Sequence, residues 1–305
     1  MLRIGYLSTL YHSSHLLREL GWVEQETGQS CGWSLFGTGP EMIGAFQREE
    51  IDLGFLGLPP VLIGISRGIP LVCVGGGHVE GSVMVAGPGC RSLEESRGVG
   101  DFLRQFAGSR VGVPAAGSIH DVIFRWLLAE NSARDVEIVN FDWADLIPYA
   151  YRKGEISAAV GTPPLALLCE RECGTRILIP PERWWPFNPS CGIVVHRRLL
   201  DRASLVEGFL RMHEKACNLI REQPGEAARL TLRVLPGLDE ALVLRVDALS
   251  PGYCASLPDP YIASTLAFLP VLRDRGVLEK PLPENEIFEP RFVRAMHPQP
   301  HHYRK

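Results

Sequence analysis

Long apolar runs are absent from this chain of 305 residues. The longest, residues 54–65, is interrupted by Pro59 and Pro60 and falls short of the about 20 residues that a membrane helix needs. An excess of basic charge is absent too. Lys and Arg number 31 against 35 Asp and Glu, a net charge of −4, which removes the electrostatic footprint of a nucleic-acid binder. No repeat of fixed period and no low-complexity segment occurs. With 46% hydrophobic and 22% charged residues, the chain has the composition of a globular protein, not of a disordered, collagenous or coiled-coil one. A leader is not visible either: after Met1-Leu2-Arg3 the chain enters Ile4-Gly5-Tyr6-Leu7 with no long apolar core and no small-residue cleavage site. The expected location is therefore extracytoplasmic, periplasmic or membrane-anchored, if a signal segment was removed, and cytoplasmic otherwise.

Signatures of catalysis and of metal binding are missing as well. No GxSxG, HExxH, phosphate-loop or complete GxGxxG motif stands in a convincing setting. Of the eight cysteines only Cys169 and Cys173 lie close together, and no second pair follows at zinc spacing. The thiols are read as ordinary side chains, with one or two bridges left open. No metal and no cofactor is expected. A cysteine–histidine pairing such as Cys191 with His78 stays open, because one sequence gives no distance between them.

What is present is a regular alternation. Short apolar segments at Arg3–Leu7, Ser34–Phe36, Ile51–Phe55 and Leu71–Val74 read as strands, with helices between them at His15–Leu20, Glu41–Phe46 and Val61–Ser66. Gly21 is a helix stop. A second series follows from Gly87: strands at Arg110–Val113, Val136–Asn140, Ala158–Val160, Arg176–Ile179 and Gly192–Val195, helices at Ile119–Glu130 and Asp145–Arg152. Strand–loop–helix units of this kind predict an α/β protein with a parallel sheet and helices on its faces. From Asp201 the pattern is helical, over 201–222, 225–233, 238–247 and about 259–275, with breaks at Pro224-Gly225, Pro236-Gly237 and Pro251-Gly252. The polar end His297–Lys305 reads as a loose tail whose adjacent histidines could bind stray metal.

The order of several short pieces carries a resemblance. Arg3-Ile4-Gly5-Tyr6 opens the chain, and Gly37-Thr38-Gly39-Pro40 precedes a helix. Glu50-Ile51-Asp52-Leu53-Gly54 leads to Gly57-Leu58-Pro59-Pro60, and Val111-Gly112-Val113-Pro114 to Gly117-Ser118-Ile119-His120. Lys153-Gly154-Glu155-Ile156-Ser157-Ala158-Ala159-Val160 precedes Pro163-Pro164, and Leu249-Ser250-Pro251-Gly252-Tyr253 comes before Leu257-Pro258-Asp259. Over about residues 3–293 the chain resembles the substrate-binding proteins of nitrate/sulfonate/taurine-type ABC transporters and their thiamine-pyrimidine-precursor-binding relatives. The resemblance implies a two-lobe periplasmic-binding-protein type II fold, in which two mixed or parallel sheets are flanked by helices and joined by a hinge. Lobe 1 would be 1–84 plus 195–305 and lobe 2 85–194, with bending near 82–86 and 190–195 and the ligand between the lobes.

The expected function is that of a solute-binding protein of an ABC importer. It would hold a small anionic or zwitterionic ligand of the sulfonate, nitrate or thiamine-precursor class, and would meet a permease if exported. A monomer without nucleic-acid partner or membrane span is expected. The alternative is a cytoplasmic biosynthetic enzyme on the same fold, of menaquinone or thiamine-pyrimidine type.

Candidate ligand-binding residues follow from loops at strand ends and from helix starts, where unpaired N–H groups and the positive dipole end favour an anion. They are Tyr11 and His12, Thr38 and Gly39, Gly57 and Leu58, Gly117, Ser118 and His120, Trp143 and Thr162. His78, Glu80 and Ser82 join them because Gly75-Gly76-Gly77 would let backbone approach a ligand. Ser118 reads equally as a plain helix cap, and Trp143 equally as core or rim. Glu41 and Glu80 would suit an amine on the ligand, while Trp184-Trp185-Pro186-Phe187-Asn188 reads as packing at the hinge.

Overall fold

In a computed structural model of the chain, which describes residues 1–235, 237–249 and 252–303, the alternation becomes two sheets. Of the predicted breaks Pro236-Gly237 and Pro251-Gly252, the two prolines lie outside the described residues, as do Ser250 and the tail residues Arg304 and Lys305. The chain begins β1 Leu2–Leu7, α1 Ser14–Leu20, α2 Trp22–Thr27, β2 Cys31–Phe36, α3 Gly39–Gln47, β3 Leu53–Leu56, α4 Leu58–Ser66 and β4 Leu71–His78. It continues β5 Val83–Ala86, α5 Val99–Arg104, β6 Arg110–Pro114, α6 Ile119–Glu130, β7 Glu137–Phe141, α7 Ile147–Arg152, β8 Ala158–Gly161, α8 Pro163–Cys173 and β9 Arg176–Ile179. It returns through β10 Cys191–His196 and ends in α9 Ala203–Glu222, α10 Pro224–Val234, α11 Glu240–Leu249, α12 Asp259–Leu266, α13 Phe268–Asp274, α14 Glu284–Ile287 and α15 Arg291–Met296.

The first sheet has the order β2-β1-β3-β10-β4 and the second β7-β6-β8-β5-β9. In each, the second strand pairs in parallel with both its neighbours, and the fourth runs antiparallel between the third and the fifth. Mixed sheets with helices on both faces are therefore the architecture, as the two-lobe expectation holds. The antiparallel strands are exchanged along the sequence: β5 enters the second sheet as the chain crosses, and β10 enters the first as it returns. The chain thus crosses at 79–82 and between β9 and β10. The expected boundaries at 84/85 and 194/195 fall inside β5 and β10, and the expected bend at 82–86 coincides with a strand that is hydrogen-bonded on both edges.

Apolar spacing explains the core. Every residue of β3, β4, β5, β8 and β10 is buried, as expected for strands covered on both faces. The long helix α9 packs Leu205, Phe209, Leu210 and Ala216 inward at helical spacing. Gly75-Gly76-Gly77 is a continuation of β4 and not a ligand loop. A Cβ at Gly76 would lie 2.0 Å from the Tyr303 hydroxyl and 2.5 Å from the Ser256 carbonyl, so its small size admits the covering chain. That covering chain is the expected loose tail. Tyr303 is 3% exposed, and its hydroxyl donates to the carbonyls of Cys254 and Ser256 at 2.6 and 3.0 Å.

Candidate functional site

The carboxyl ends of three parallel strands from each sheet face one cleft, the place where ligands sit on open α/β sheets. The loop after β1 brings Thr9, Tyr11 and His12, the loop after β2 brings Gly37, Thr38 and Gly39, and Gly57 follows β3. From the other side Pro114, Ser118, Ile119 and His120 follow β6, Ala144 follows β7, and Thr162 follows β8. Ser190, on the returning crossing, closes the back. The cavity between them is narrow, about 40 Å³, and no charged side chain lines it.

Four helices start at this cleft. Thr38, Gly57, Ser118 and Thr162 are the residues before α3, α4, α6 and α8, all with extended backbone. Thr38 and Thr162 make no side-chain cap, so their hydroxyls are not spent on their own helices. Ser118 does cap: its oxygen accepts from the Asp121 amide at 3.3 Å, which leaves the hydroxyl proton to donate elsewhere. Gly117 before it sits at φ 82, a left-handed conformation that favours glycine. Its amide donates to Asp121 at 3.0 Å, and the same carboxylate takes Arg125 at 2.7 Å and Asn140 at 3.0 Å. Asp121 therefore fixes the turn that presents Ser118. At α4 the first amide, that of Leu58, is already used by the Pro189 carbonyl at 3.2 Å.

Aromatic rings form the first-sheet wall. Tyr11, His12 and His78 cluster with centroid separations of 4.4 to 5.2 Å. Burial, reinforced by the neighbouring rings of His78, His15 and His213, pushes His12 well below the usual histidine range. Burial holds His78 at about 3 and His120 at about 4. The imidazoles facing the cleft are thus neutral near pH 7. His120 Nδ1 lies 2.9 Å from the Ser82 hydroxyl, which itself accepts from Asn188 at 3.3 Å. Ser82 thus ties the His120 ring and Asn188 together through one hydroxyl. His12 Nδ1 and Thr9 Oγ1 are buried and find no partner among the described residues. The loop that holds them is braced from below, where His15 Nε2 meets the Thr9 carbonyl at 2.8 Å and His213 Nδ1 meets Ser13 Oγ at 2.8 Å.

The structure brings Tyr11, His12, Thr38, Gly39, Gly57, Ser118, His120 and Thr162 together on the cleft. Other residues expected there lie elsewhere. Leu58 is fully buried and its side chain turns toward Gly192 of β10, because the first residue of α4 faces the sheet. His78 stands behind Tyr11 and His12, and Ser82 behind His120. Glu80 belongs to the crossing: its amide donates to the Asn188 carbonyl at 2.7 Å and its carboxylate accepts from Phe187 at 3.3 Å. Glu41 is exposed and accepts from the Gly37 amide at 2.8 Å. Neither carboxylate reaches the cleft to meet an amine. Gly117 faces a neighbouring pocket with Ile63 and Val122.

Trp143 packs across the mouth, where a Cβ at Gly37 would lie 2.7 Å from its ring, and it is 38% exposed. Thr9, Gly37, Pro60, Pro114, Ile119, Ala144 and Ser190 were not expected. Thr9 and Ser190 share the position-after-a-strand signal or border a crossing, whereas Pro60 and Ile119 carry no polar signal at all.

The two lobes touch across the cleft. Ser8 donates to Asp145 at 2.7 Å, Arg275 meets Asp121 at 3.5 Å, and Arg245 meets Glu170 at 2.9 Å. His12 of the cleft wall, with His78 and Cys191 behind it, brings ligand atoms within 4.8 Å of one another. This unites the Cys191–His78 pairing left open above. The thiol is 2% exposed and burial pushes its pKa up, the opposite of an activated nucleophile. All eight cysteines are free thiols, and Cys169 and Cys173 form no bridge.

Solved structures with the same architecture are numerous. The alkanesulfonate-binding protein SsuA from Xanthomonas axonopodis pv. citri, bound to MOPS, is 22% identical, with a TM-score of 0.76 over 92% of this chain and 94% of that one. The periplasmic aliphatic sulphonate binding protein SsuA from Escherichia coli is 18% identical, with a TM-score of 0.78 over 95% and 92%. The periplasmic nitrate-binding protein NrtA from Synechocystis PCC 6803 is 11% identical, with a TM-score of 0.77 over 97% and 87%. At these identities the likeness is one of fold. No curated protein matches the chain in sequence. A sequence profile does match, over residues 1–235, more than half of the chain, and by that match the protein belongs to the NMT1-like family.

Proposed function

We propose that the protein is the solute-binding component of an ABC importer. In this reading it captures a small, singly charged anion or zwitterion of the sulfonate, nitrate or thiamine-precursor class between its lobes. The observation that carries the reading is a cleft without charged side chains into which α3, α4, α6 and α8 begin. Helix N-termini offer partial positive charge to an anion, and where the first residues are not proline they offer backbone N–H groups as well. Here α6 begins Ile119-His120 and α3 begins Gly39, whereas Pro59-Pro60 of α4 and Pro163-Pro164 of α8 contribute the dipole end without N–H groups. Unspent hydroxyls at Thr38 and Thr162 add donors, and the His120 ring lines the same space. With no Lys or Arg present, a multiply charged anion would be under-compensated. Tyr11 and Ile119 provide apolar surface for an organic tail.

Binding would favour the closed arrangement already bridged by Ser8 and Asp145, since a ligand shifts a hinge equilibrium only through contacts made to both lobes. Delivery to a permease places the protein on the extracytoplasmic side. No helix among the described residues is long and apolar enough to cross a membrane.

The test is calorimetric titration of the wild type and of Ser118→Trp with a short aliphatic sulfonate and with nitrate, alongside mass spectrometry of any ligand retained through purification. One small anion or zwitterion should bind the wild type and fail to bind the variant. Retention and binding of no such molecule, or unchanged affinity in Ser118→Trp, would overturn the reading.

A further inference from the structure

Outside the cleft, four chemically suited donors from three separate segments meet at one point. Glu214 comes from α9, Cys254 from the loop before α12, and His297 and His302 from the C-terminal segment. His297 Nε2 lies 3.4 Å from Cys254 Sγ and 3.3 Å from His302 Nδ1. His302 Nδ1 lies 3.7 Å from Cys254 Sγ and 3.2 Å from Glu214 Oε1. His297 Nε2 and Glu214 Oε1 are 3.6 Å apart. Zinc binds nitrogen and oxygen at about 2.0–2.1 Å and sulfur at about 2.3 Å, so a tetrahedral site has edges of about 3.3 Å between N or O atoms and about 3.6 Å between S and N. The five distances match such edges to within a few tenths of an ångström.

Ring orientation points the same way. His297 Nδ1 faces the Gln299 carbonyl at 3.2 Å, a contact that turns Nε2 toward the cluster. A carboxylate oxygen, a sulfur and two imidazole nitrogens, all atom types that ligate zinc, thus converge on one point. The outer partners suit metal binding as well. The amides of Ser256 and His302 approach Cys254 Sγ at 3.4 and 3.5 Å. Glu214 Oε2 accepts from the Ala255 amide at 2.7 Å. Arg221 meets Oε1 at 3.0 Å and is itself held by the Tyr253 carbonyl and Asn218.

We infer that Glu214, Cys254, His297 and His302 form a four-coordinate zinc site. All four positions are filled by protein, which makes the site structural and not catalytic. It staples the C-terminal segment and the 254–256 loop onto α9, directly over Gly76 of β4, whose amide donates to the Ala255 carbonyl at 2.8 Å. Binding releases the Cys254 thiol proton to solvent, since the thiolate is the ligand. Cysteine spacing did not show this site because it uses a single cysteine, and its histidines sit in a stretch read as tail. The inference does not rest on the cleft or its ligand.

The experiment uses the full chain, stripped of metal under reducing conditions and titrated with Co²⁺. One equivalent should be taken up, with the visible bands of four-coordinate cobalt and a thiolate-to-cobalt charge-transfer band, both erased by Zn²⁺. Cys254→Ser should lose the charge-transfer band, while Cys191→Ser, in the buried group behind the cleft, should keep it. His302→Ala, at the solvent-facing side of the cluster, should weaken Zn²⁺ at least about tenfold, since even outer-shell partners of a metal carry that much. Zn²⁺ should raise the melting temperature of the wild type but not of His302→Ala. Absence of stoichiometric uptake overturns the proposal. So does a band lost in Cys191→Ser and kept in Cys254→Ser, or an affinity untouched in His302→Ala.

Discussion

The two sheets share one strand order yet fix their cleft loops by different means. In the first, residues 8–13 between β1 and α1 are braced by neutral imidazoles: His15 on the Thr9 carbonyl and His213 on Ser13. In the second, the short turn from β6 to α6 is locked by one carboxylate, Asp121, whose side chain is fully buried and meets Gly117, Arg125, Asn140 and Arg275. The same topology thus reaches a placed helix start by buried hydrogen bonds on one side and by a buried ionic network on the other. The two devices should fail under different stresses.

The largest effects concern the cleft itself. Thr38→Trp in the first lobe and Ser118→Trp in the second should each abolish ligand binding by calorimetry and leave the melting temperature of the ligand-free protein nearly unchanged. Normal binding in either variant would make the cleft one-sided and break the symmetry just described.

Asp121→Ala should destabilise by about 2–3 kcal/mol in denaturant unfolding, because it leaves the Gly117 amide and Asn140 without their buried acceptor and takes the carboxylate partner from Arg125 and Arg275. Glu41→Ala removes the corresponding carboxylate of the first lobe, which is exposed and accepts only from Gly37. It should cost less than about 1 kcal/mol. Equal losses would refute the contrast.

Acid separates the lobes next. Burial holds His15, His120 and His213 at about 4 and His78 at about 3, and pushes His12 well below its usual value. All but His120 belong to the first lobe. These rings are neutral in folded and unfolded chain above pH 6.5. Below it the unfolded chain binds more protons, so stability falls as pH drops from 6.5 toward 4, by up to about 1.4 kcal/mol per pH unit for each ring, and levels off beneath the folded values. Asp247, pushed up to about 7 by burial, works in the opposite direction over the same range and offsets about one ring. Hydrogen exchange between pH 7 and 4.5 should show first-lobe amides losing protection before those of β6 and α6. Uniform loss would sink the assignment of acid lability to the first lobe.

The smallest effect is at the mouth. Ser8→Ala removes an exposed contact to Asp145 and should weaken ligand binding by less than about fivefold, with a slightly larger radius of gyration in scattering. A larger loss would place Ser8 in the closing mechanism itself.

Much of the fold was legible because Val, Ile and Leu clusters alternate with helix starts at regular intervals. Ile119–Glu130 and Arg176–Ile179 occur where they were predicted. The exchange of β5 and β10 was not legible, since a short buried strand such as Val83–Ala86 has the same pattern whichever sheet accepts it. Gly75-Gly76-Gly77 misled because glycine signals either a ligand loop or close packing, and only the distant Tyr303 decides between them. Within the cleft, Ser118 announces itself as a helix start and Thr162 as a polar residue after a strand, whereas Ile119 and Ala144 line it without any polar signal. His78 and Ser82 sit one layer behind, a distinction that sequence cannot draw.

The exchanged strands also dictate an order of events during synthesis. β4 pairs within its sheet only with β10, and β10 is made after the whole second sheet. The second lobe, continuous in sequence from β5 to β9, can therefore close as soon as it leaves the ribosome. The older N-terminal strands wait, with the long apolar edge of β4 unpaired. The topology thus allows a domain made later to close earlier, against the usual N-to-C sequence of folding. Until β10 is made, β4 has no partner strand in its own sheet, the kind of unpaired apolar edge that invites wrong pairing.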